Sequence, residues 1–335
     1  MGYIKRTPLT EFRAQNRGGV GAKGSDTRDE DFIEYIYPAS MHNYMLFFTQ
    51  KGRCYWLKVY EIPEGAKNSK GRAIQNMLNI ESDDKVNAFI RIKRLQDPEY
   101  NTTHNLVFCT RSGIIKKTKL EAYSRPRQNG VNAINILEGD QLIDVRLTDG
   151  NSHLVIANRN GRAITFHEST VREMGRVATG VRGMRLDEDG QDATVGMIVV
   201  NNFQEDTIMV ISEQGYGKRS IAEDYRITNR GGKGVATMKI TEKTGKVVAI
   251  KNVSDENDLV IINKSGITLR MKVADVRVMG RATLGVRIIN LEQRNDEIAS
   301  VCKVLSATED ITEVANQEDG EQATSTEETL NPANE

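Results

Sequence analysis

One pattern of apolar and polar positions recurs along the chain. An apolar run meets a polar turn with a glycine, and a basic or alternating run follows. It occupies residues 47–53, 107–113, 155–162, 210–215 and 260–266, and residues 2–6 match its second half. Each copy predicts strand, tight turn and strand, with glycine supplying positive φ. The turn glycines are Gly2, Gly52, Gly113, Gly161, Gly215 and Gly266, spaced by 50, 61, 48, 54 and 51 residues. A second glycine follows 19 residues later at Gly21, Gly71, Gly180, Gly234 and Gly285, and 17 residues later at Gly130. After it comes another alternating run, such as 285–291, and a last apolar stretch, such as 298–304. Each unit therefore predicts two hairpins, or four strands.

Six four-stranded units with a period near 50 predict an all-β, propeller-like array, because one such sheet cannot bury both faces alone. The blades start near residues 1, 45, 106, 153, 207 and 258, and the domain spans 1–305. The first unit lacks its opening strand. Either the chain is cut from a longer protein or the strand near 299–305 closes the ring. A loop at 95–101 accounts for the spacing of 61, and residues 25–31 form a charged loop. The tail at 306–335 has no periodicity and reads as disordered.

Charge changes the picture. The 46 bases and 46 acids cancel over 335 residues, but they are segregated. The tail holds nine acids and no base, which leaves 46 bases against 37 acids in residues 1–305. A basic body with an acidic tail suggests a polyanionic partner and an internal competitor for it. The same tail also suits a plain solubilising extension.

Composition excludes other classes. No uncharged apolar stretch reaches the length of a membrane span, and 1–6 is not a signal-peptide core. Cys54, Cys109 and Cys302 are too scattered for a disulfide framework, so a reducing cytoplasm is expected. His42, His104, His153 and His167 fall in different units, and no metal spacing occurs. Residues 19–24 match G-x-G-x-x-G by letters, but a polar, basic stretch precedes them and a charged one follows, so no dinucleotide site is expected. No nucleophile with a nearby base stands out.

Basic residues recur at equivalent places. After the first turn come Lys5, Arg6, Arg53, Lys58, Lys116, Lys117, Arg162, Lys218, Arg219, Arg270 and Lys272. Near the second glycine come Arg17, Lys23, Lys70, Arg72, Arg125, Arg127, Arg176, Arg182, Arg230, Lys233, Arg281 and Arg287. In a radial array, equivalent positions share one rim, so these side chains predict a curved basic stripe along which duplex DNA runs. Solvated strand faces are the bland alternative. Aromatic residues are 6%, which argues against stacking single-stranded bases and favours backbone contacts with wrapping.

The segment Gln15-Asn16-Arg17-Gly18-Gly19-Val20-Gly21 resembles the signature box of the gyrase A C-terminal domain, Gln-(Arg/Lys)-Arg-Gly-Gly-(Arg/Lys)-Gly. It agrees at Gln15, Arg17, Gly18, Gly19 and Gly21, and departs at Asn16 and Val20, where the family usually has bases. Residues 228–234 are a partial copy without the Gln, and 174–184 and 279–287 look like further gyrase A stretches. The resemblance covers residues 1–305. It implies a six-bladed β-pinwheel, whose blades exchange strands with their neighbours and wrap double-stranded DNA on the outer rim. It implies that this presents a positive crossover, so that the DNA gyrase holoenzyme introduces negative supercoils with ATP. The partners it implies are the N-terminal part of gyrase A, which holds the catalytic tyrosine, and gyrase B, which hydrolyses ATP with magnesium. No cofactor and no catalytic residue are expected in this chain. The equivalent domain of topoisomerase IV and a propeller serving protein interactions are the rival readings.

Overall fold

The computed structural model describes residues 2–8, 39–66, 69–188, 190–265, 268–291 and 296–305. The predicted hairpins form where the glycines place them. They pair β2 (Tyr44–Thr49) with β3 (Arg53–Lys58), β6 (Asn105–Thr110) with β7 (Ile114–Lys119), and β10 (His153–Asn158) with β11 (Arg162–His167). Further on, β14 (Thr207–Ser212) pairs with β15 (Tyr216–Ile221), and β18 (Asn257–Asn263) with β19 (Thr268–Lys272). A last strand of each unit returns to the opening strand of its own hairpin. These are β5 (Val86–Ile92), β9 (Leu142–Thr148), β13 (Thr194–Val200), β17 (Val247–Val253) and β21 (Ile298–Leu305). They pack against one another in sequence as an inner ring.

The second hairpin expected within each unit is not formed. The run after the second glycine is a two-residue strand that leaves its own unit. β4 (Arg72–Ala73) pairs with β1 (Tyr3–Ile4), β8 (Val131–Asn132) with β3, β12 (Val181–Arg182) with β7, β16 (Val235–Ala236) with β11, and β20 (Val286–Arg287) with β15. Each blade is therefore ordered, from the inner ring outward, as β5-β2-β3-β8 is, with its outermost strand taken from the next unit. The described residues form four four-stranded sheets of this kind, the three-stranded sheet β19-β18-β21 and the two-stranded β1-β4, instead of six uniform four-stranded blades. Residues 9–38, the rest of the first unit, lie outside the described residues, as does the acidic tail.

The glycines enforce this exchange. Gly234 has φ +72°, and a Cβ there would run into the carbonyl oxygen of Ala163 on β11. Gly161 has φ +77°, with the Met238 carbonyl 2.5 Å from where its Cβ would be. Only glycine combines that φ with so close an approach of two backbones. The continuous apolar runs have an equally direct cause. Alternate residues of one strand enter different layers: Leu106 and Phe108 pack against the β2–β3 blade, while Val107 and Cys109 pack against the β10–β11 blade. Both faces of a blade are buried, so neither reads as polar. A short helix, α1 (Pro98–Thr103), capped by Asp97, begins within the expected loop at 95–101 and runs past it.

Candidate nucleic-acid interface

The segment that leads into each exchanged strand arches over the outer edge of the preceding blade. In four of the five cases it touches the fourth residue after the turn glycine, through the bridges Arg6–Glu64, Lys117–Glu173, Thr165–Ile227 and Arg219–Val278. It then loops outward and comes back as the exchanged strand, against the first and second residues after that glycine. The second group of basic residues sits on these arches. Lys70, Arg72, Arg125, Arg127, Arg182, Lys233 and Arg287 are exposed, and Arg176, Arg230 and Arg281 are half-buried. Arg230 donates to the carbonyls of Thr170 (3.0 Å) and Arg182 (3.0 Å), and Arg281 to that of Ala236 (2.8 Å). Arg125, Arg127 and Arg182 donate to no other described residue. A phosphate backbone following the outer edge would meet these groups in turn. The box residues Gln15 to Gly21, together with Lys23, lie outside the described residues.

The first group belongs largely elsewhere. Lys116, Lys117, Lys218 and Arg219 are buried, contrary to the expected rim position. Strand exchange is the reason: β7 and β15 are the third strands of their blades, and the arches leading into β12 and β20 cross them at these residues. Lys117 donates to the Glu168 carbonyl at 2.9 Å, and Arg219 to Thr207 Oγ1 at 2.7 Å and to Asp255. Arg270 is tied to the buried Asp258 (2.8 Å), and Arg6 to Glu64 (2.8 Å) and the Ile62 carbonyl (2.8 Å). Lys5 and Arg162 are half-buried against arch carbonyls. These side chains hold the disc together.

Electrostatics supports that division. Burial, with the Arg176 guanidinium adding to it, lowers Lys116 to about 7, and burial with Arg281 beside it lowers Lys218 to about 8, Asp224 opposing. Burial lowers Lys251 and Lys303 as well. An unfolded chain holds these lysines protonated to about pH 10.5, so between about pH 7 and 9 it binds more protons than the native state does, and stability rises with pH. Above about pH 9 burial of Cys54, Cys109, Tyr123 and Tyr225 begins to oppose this gain, because these groups are raised and ionise more readily when unfolded, and above about pH 10.5 only the loss remains. Urea midpoints at pH 7, 9 and 11.5 should pass through a maximum; a steady fall from pH 7 contradicts this account.

One residue with a large structural role escaped the sequence reading. Glu168 is fully buried and accepts from Thr148 Oγ1 (2.8 Å) and the amides of Gly150 and Ser152 (2.9 Å each). No spacing signals it. It follows β11 as an ordinary acidic residue.

Known proteins share this architecture. A family described as the DNA gyrase C-terminal domain, beta-propeller, matches residues 2–40, 43–93, 104–149, 152–201, 206–254 and 257–302. DNA gyrase A of Staphylococcus aureus (strain NCTC 8325 / PS 47) is 43% identical over 324 residues, 97% of this chain and 35% of that protein. DNA gyrase A of Staphylococcus epidermidis (strain ATCC 12228 / FDA PCI 1200) is 43% identical over 302 residues, 90% of this chain and 33% of its own length. The chain thus spans about a third of the curated relatives it matches. A solved DNA gyrase A C-terminal domain superposes with a TM-score of 0.78 at 25% identity, covering 91% of this chain and 97% of that one. The C-terminal domain of a DNA topoisomerase IV does so at 0.72 and 27% identity, covering 91% and 90%. The chain belongs to the DNA gyrase C-terminal domain family of β-propellers.

Proposed function

We propose that this domain binds duplex DNA along its outer edge and wraps it, constraining positive writhe so that a complete gyrase introduces negative supercoils with ATP. The observation that carries the reading is the arch, repeated unit after unit, with exposed lysines and arginines on its outer side. In this reading the domain is a six-bladed β-pinwheel. It is non-catalytic. Strand cleavage belongs to the N-terminal part of gyrase A, and ATP and magnesium act on gyrase B. The setting is the chromosome in the cytoplasm; no helix among the described residues is long and apolar enough to cross a membrane. The box at 15–21 and the sequence likeness to gyrase A over nearly the whole chain favour gyrase over topoisomerase IV.

Ligating nicked circles in the presence of the chain tests the proposal. Linking number should shift at low salt, and no shift under saturating binding removes the wrapping claim. The box refines it. Gly18, Gly19 and Gly21 let a loop backbone approach phosphate closely, and Arg17 offers a planar fork for its oxygens. Arg17→Ala with Gly18→Ala and Gly19→Ala should abolish the shift and leave substantial DNA binding. A triple variant that wraps like the parent would make the box a structural turn.

A further inference from the structure

Inside each arch a cation from the preceding blade holds the backbone carbonyls of the crossing segment. The group comes from one of two positions. In alternate units it is the third residue after the turn glycine. Lys5 Nζ donates to the carbonyls of Ala66 (2.9 Å) and Ser69 (2.7 Å). Lys116 Nζ donates to that of Arg176 (2.7 Å), and also to the Ala133 carbonyl of its own unit. Lys218 Nζ donates to those of Gly280 (2.8 Å) and Arg281. In the units between, it is the first residue. Arg53 Nη2 reaches the Asn129 carbonyl (2.7 Å), and Arg162 reaches those of Lys233 (3.1 Å) and Gly234 (2.8 Å). There the third position is apolar or aromatic, Ile164 and Tyr55.

Ile164 shows that an arch can close over an apolar side chain, so packing alone does not call for lysine. The lysine's distinctive contribution is to tie down the carbonyls at or beside the basic residues of the arch. Those carbonyls belong to Arg176 itself, to Arg281 itself, and to Ser69, which precedes Lys70. A buried ammonium cannot touch DNA, but it can fix where a neighbouring guanidinium starts.

We propose that Lys116 and Lys218 are positioning residues for DNA binding, buried clamps that set the arches presenting Arg176, Arg182, Arg281 and Arg287, the task that Arg53 and Arg162 perform in the intervening blades. The inference rests on the proposed DNA binding and adds what orients the contacts.

The test transplants one solution into the other. Lys116→Ile removes the clamp and copies the filler of the β10–β11 blade. Adding Ile114→Arg supplies a guanidinium at the first position, within reach of the Thr179 and Gly180 carbonyls, which stand where those of Lys233 and Gly234 do. The readout is the salt dependence of duplex affinity for the full chain, with melting temperature alongside. Lys116→Ile should lower the slope of log K against log salt by about one, the value of one phosphate contact, without unfolding the chain. The double variant should restore it, and Lys116→Ile should add nothing to Arg176→Ala with Arg182→Ala. An unchanged slope in Lys116→Ile overturns the proposal, and so does a reduced slope that the transplanted arginine fails to restore. If Lys116→Ile does not fold, Arg162→Gln makes the same measurement in the next blade, where Ile164 stays as filler. A parent chain that binds no duplex at low salt fails the DNA-binding reading itself, a result distinct from any variant's.

Discussion

Replacing Arg125, Arg127, Arg176 and Arg182 together with Gln should weaken duplex binding on the order of a thousandfold near 0.15 M salt. Each phosphate neutralised by a base contributes about 0.9 to the slope of log K against log salt, so four lost contacts remove roughly 3.6. The four lie on two consecutive arches, and Gln keeps the length and polarity of the side chains while removing charge. Arg125, Arg127 and Arg182 are exposed, and their side chains donate to no other described residue, so the fold should scarcely respond. Lys117 and Arg219 are predicted to behave in the opposite way. They are buried against Glu168 and Thr207, and changing them should cost stability first. Titrating a fluorescent duplex at several salt concentrations checks both halves. A quadruple variant within about threefold of the parent would take DNA off these arches.

That contrast marks how far the sequence could be read. The turn glycines, the strands beside them and the sequence of blades follow from local physics: positive φ at Gly52, Gly113, Gly161 and Gly215, and apolar runs buried on both faces. The likeness at 15–21, taken with the stretches at 174–184, 228–234 and 279–287 and the six units, reached the family. What failed was the pairing read from the residues for the run after the second glycine; the exchange of strands between blades came only with the resemblance. Val131, Val181, Val235 and Val286 look like openings of a second hairpin, and nothing local reveals that each pairs with the unit before. That single error put Lys116, Lys117, Lys218 and Arg219 on the rim. An exposed strand lysine and a buried clamp have the same letter, and a partner some 60 residues away decides between them. One cue was present: Lys at the third position after the glycine alternates with Arg at the first, which exposed strand faces would have no reason to do.

Exchange also concentrates stability at the junctions between blades, and Glu168 should show the largest single loss. Its carboxylate receives the Thr148 hydroxyl and the amides of Gly150 and Ser152, and the Lys117 ammonium lies 3.7 Å away. These groups join the end of β9, the turn before β10 and the edge of β7, so one side chain ties two blades. Glu168→Ala leaves three donors without their acceptor and a buried cation without its counter-charge, at a cost of about 3–5 kcal/mol. At about 2–4 °C per kcal/mol, the melting temperature should fall by roughly 10 °C. In an array of stacked units the loss should be local as well, with hydrogen-exchange protection falling first in β6, β7, β10 and β11. Removing both charges costs less than removing one, so Lys117→Met combined with Glu168→Gln should melt higher than Glu168→Gln alone. If the double variant instead sums the two single losses, the pair is not coupled, and Glu168 acts only through the Thr148 hydroxyl and the amides of Gly150 and Ser152.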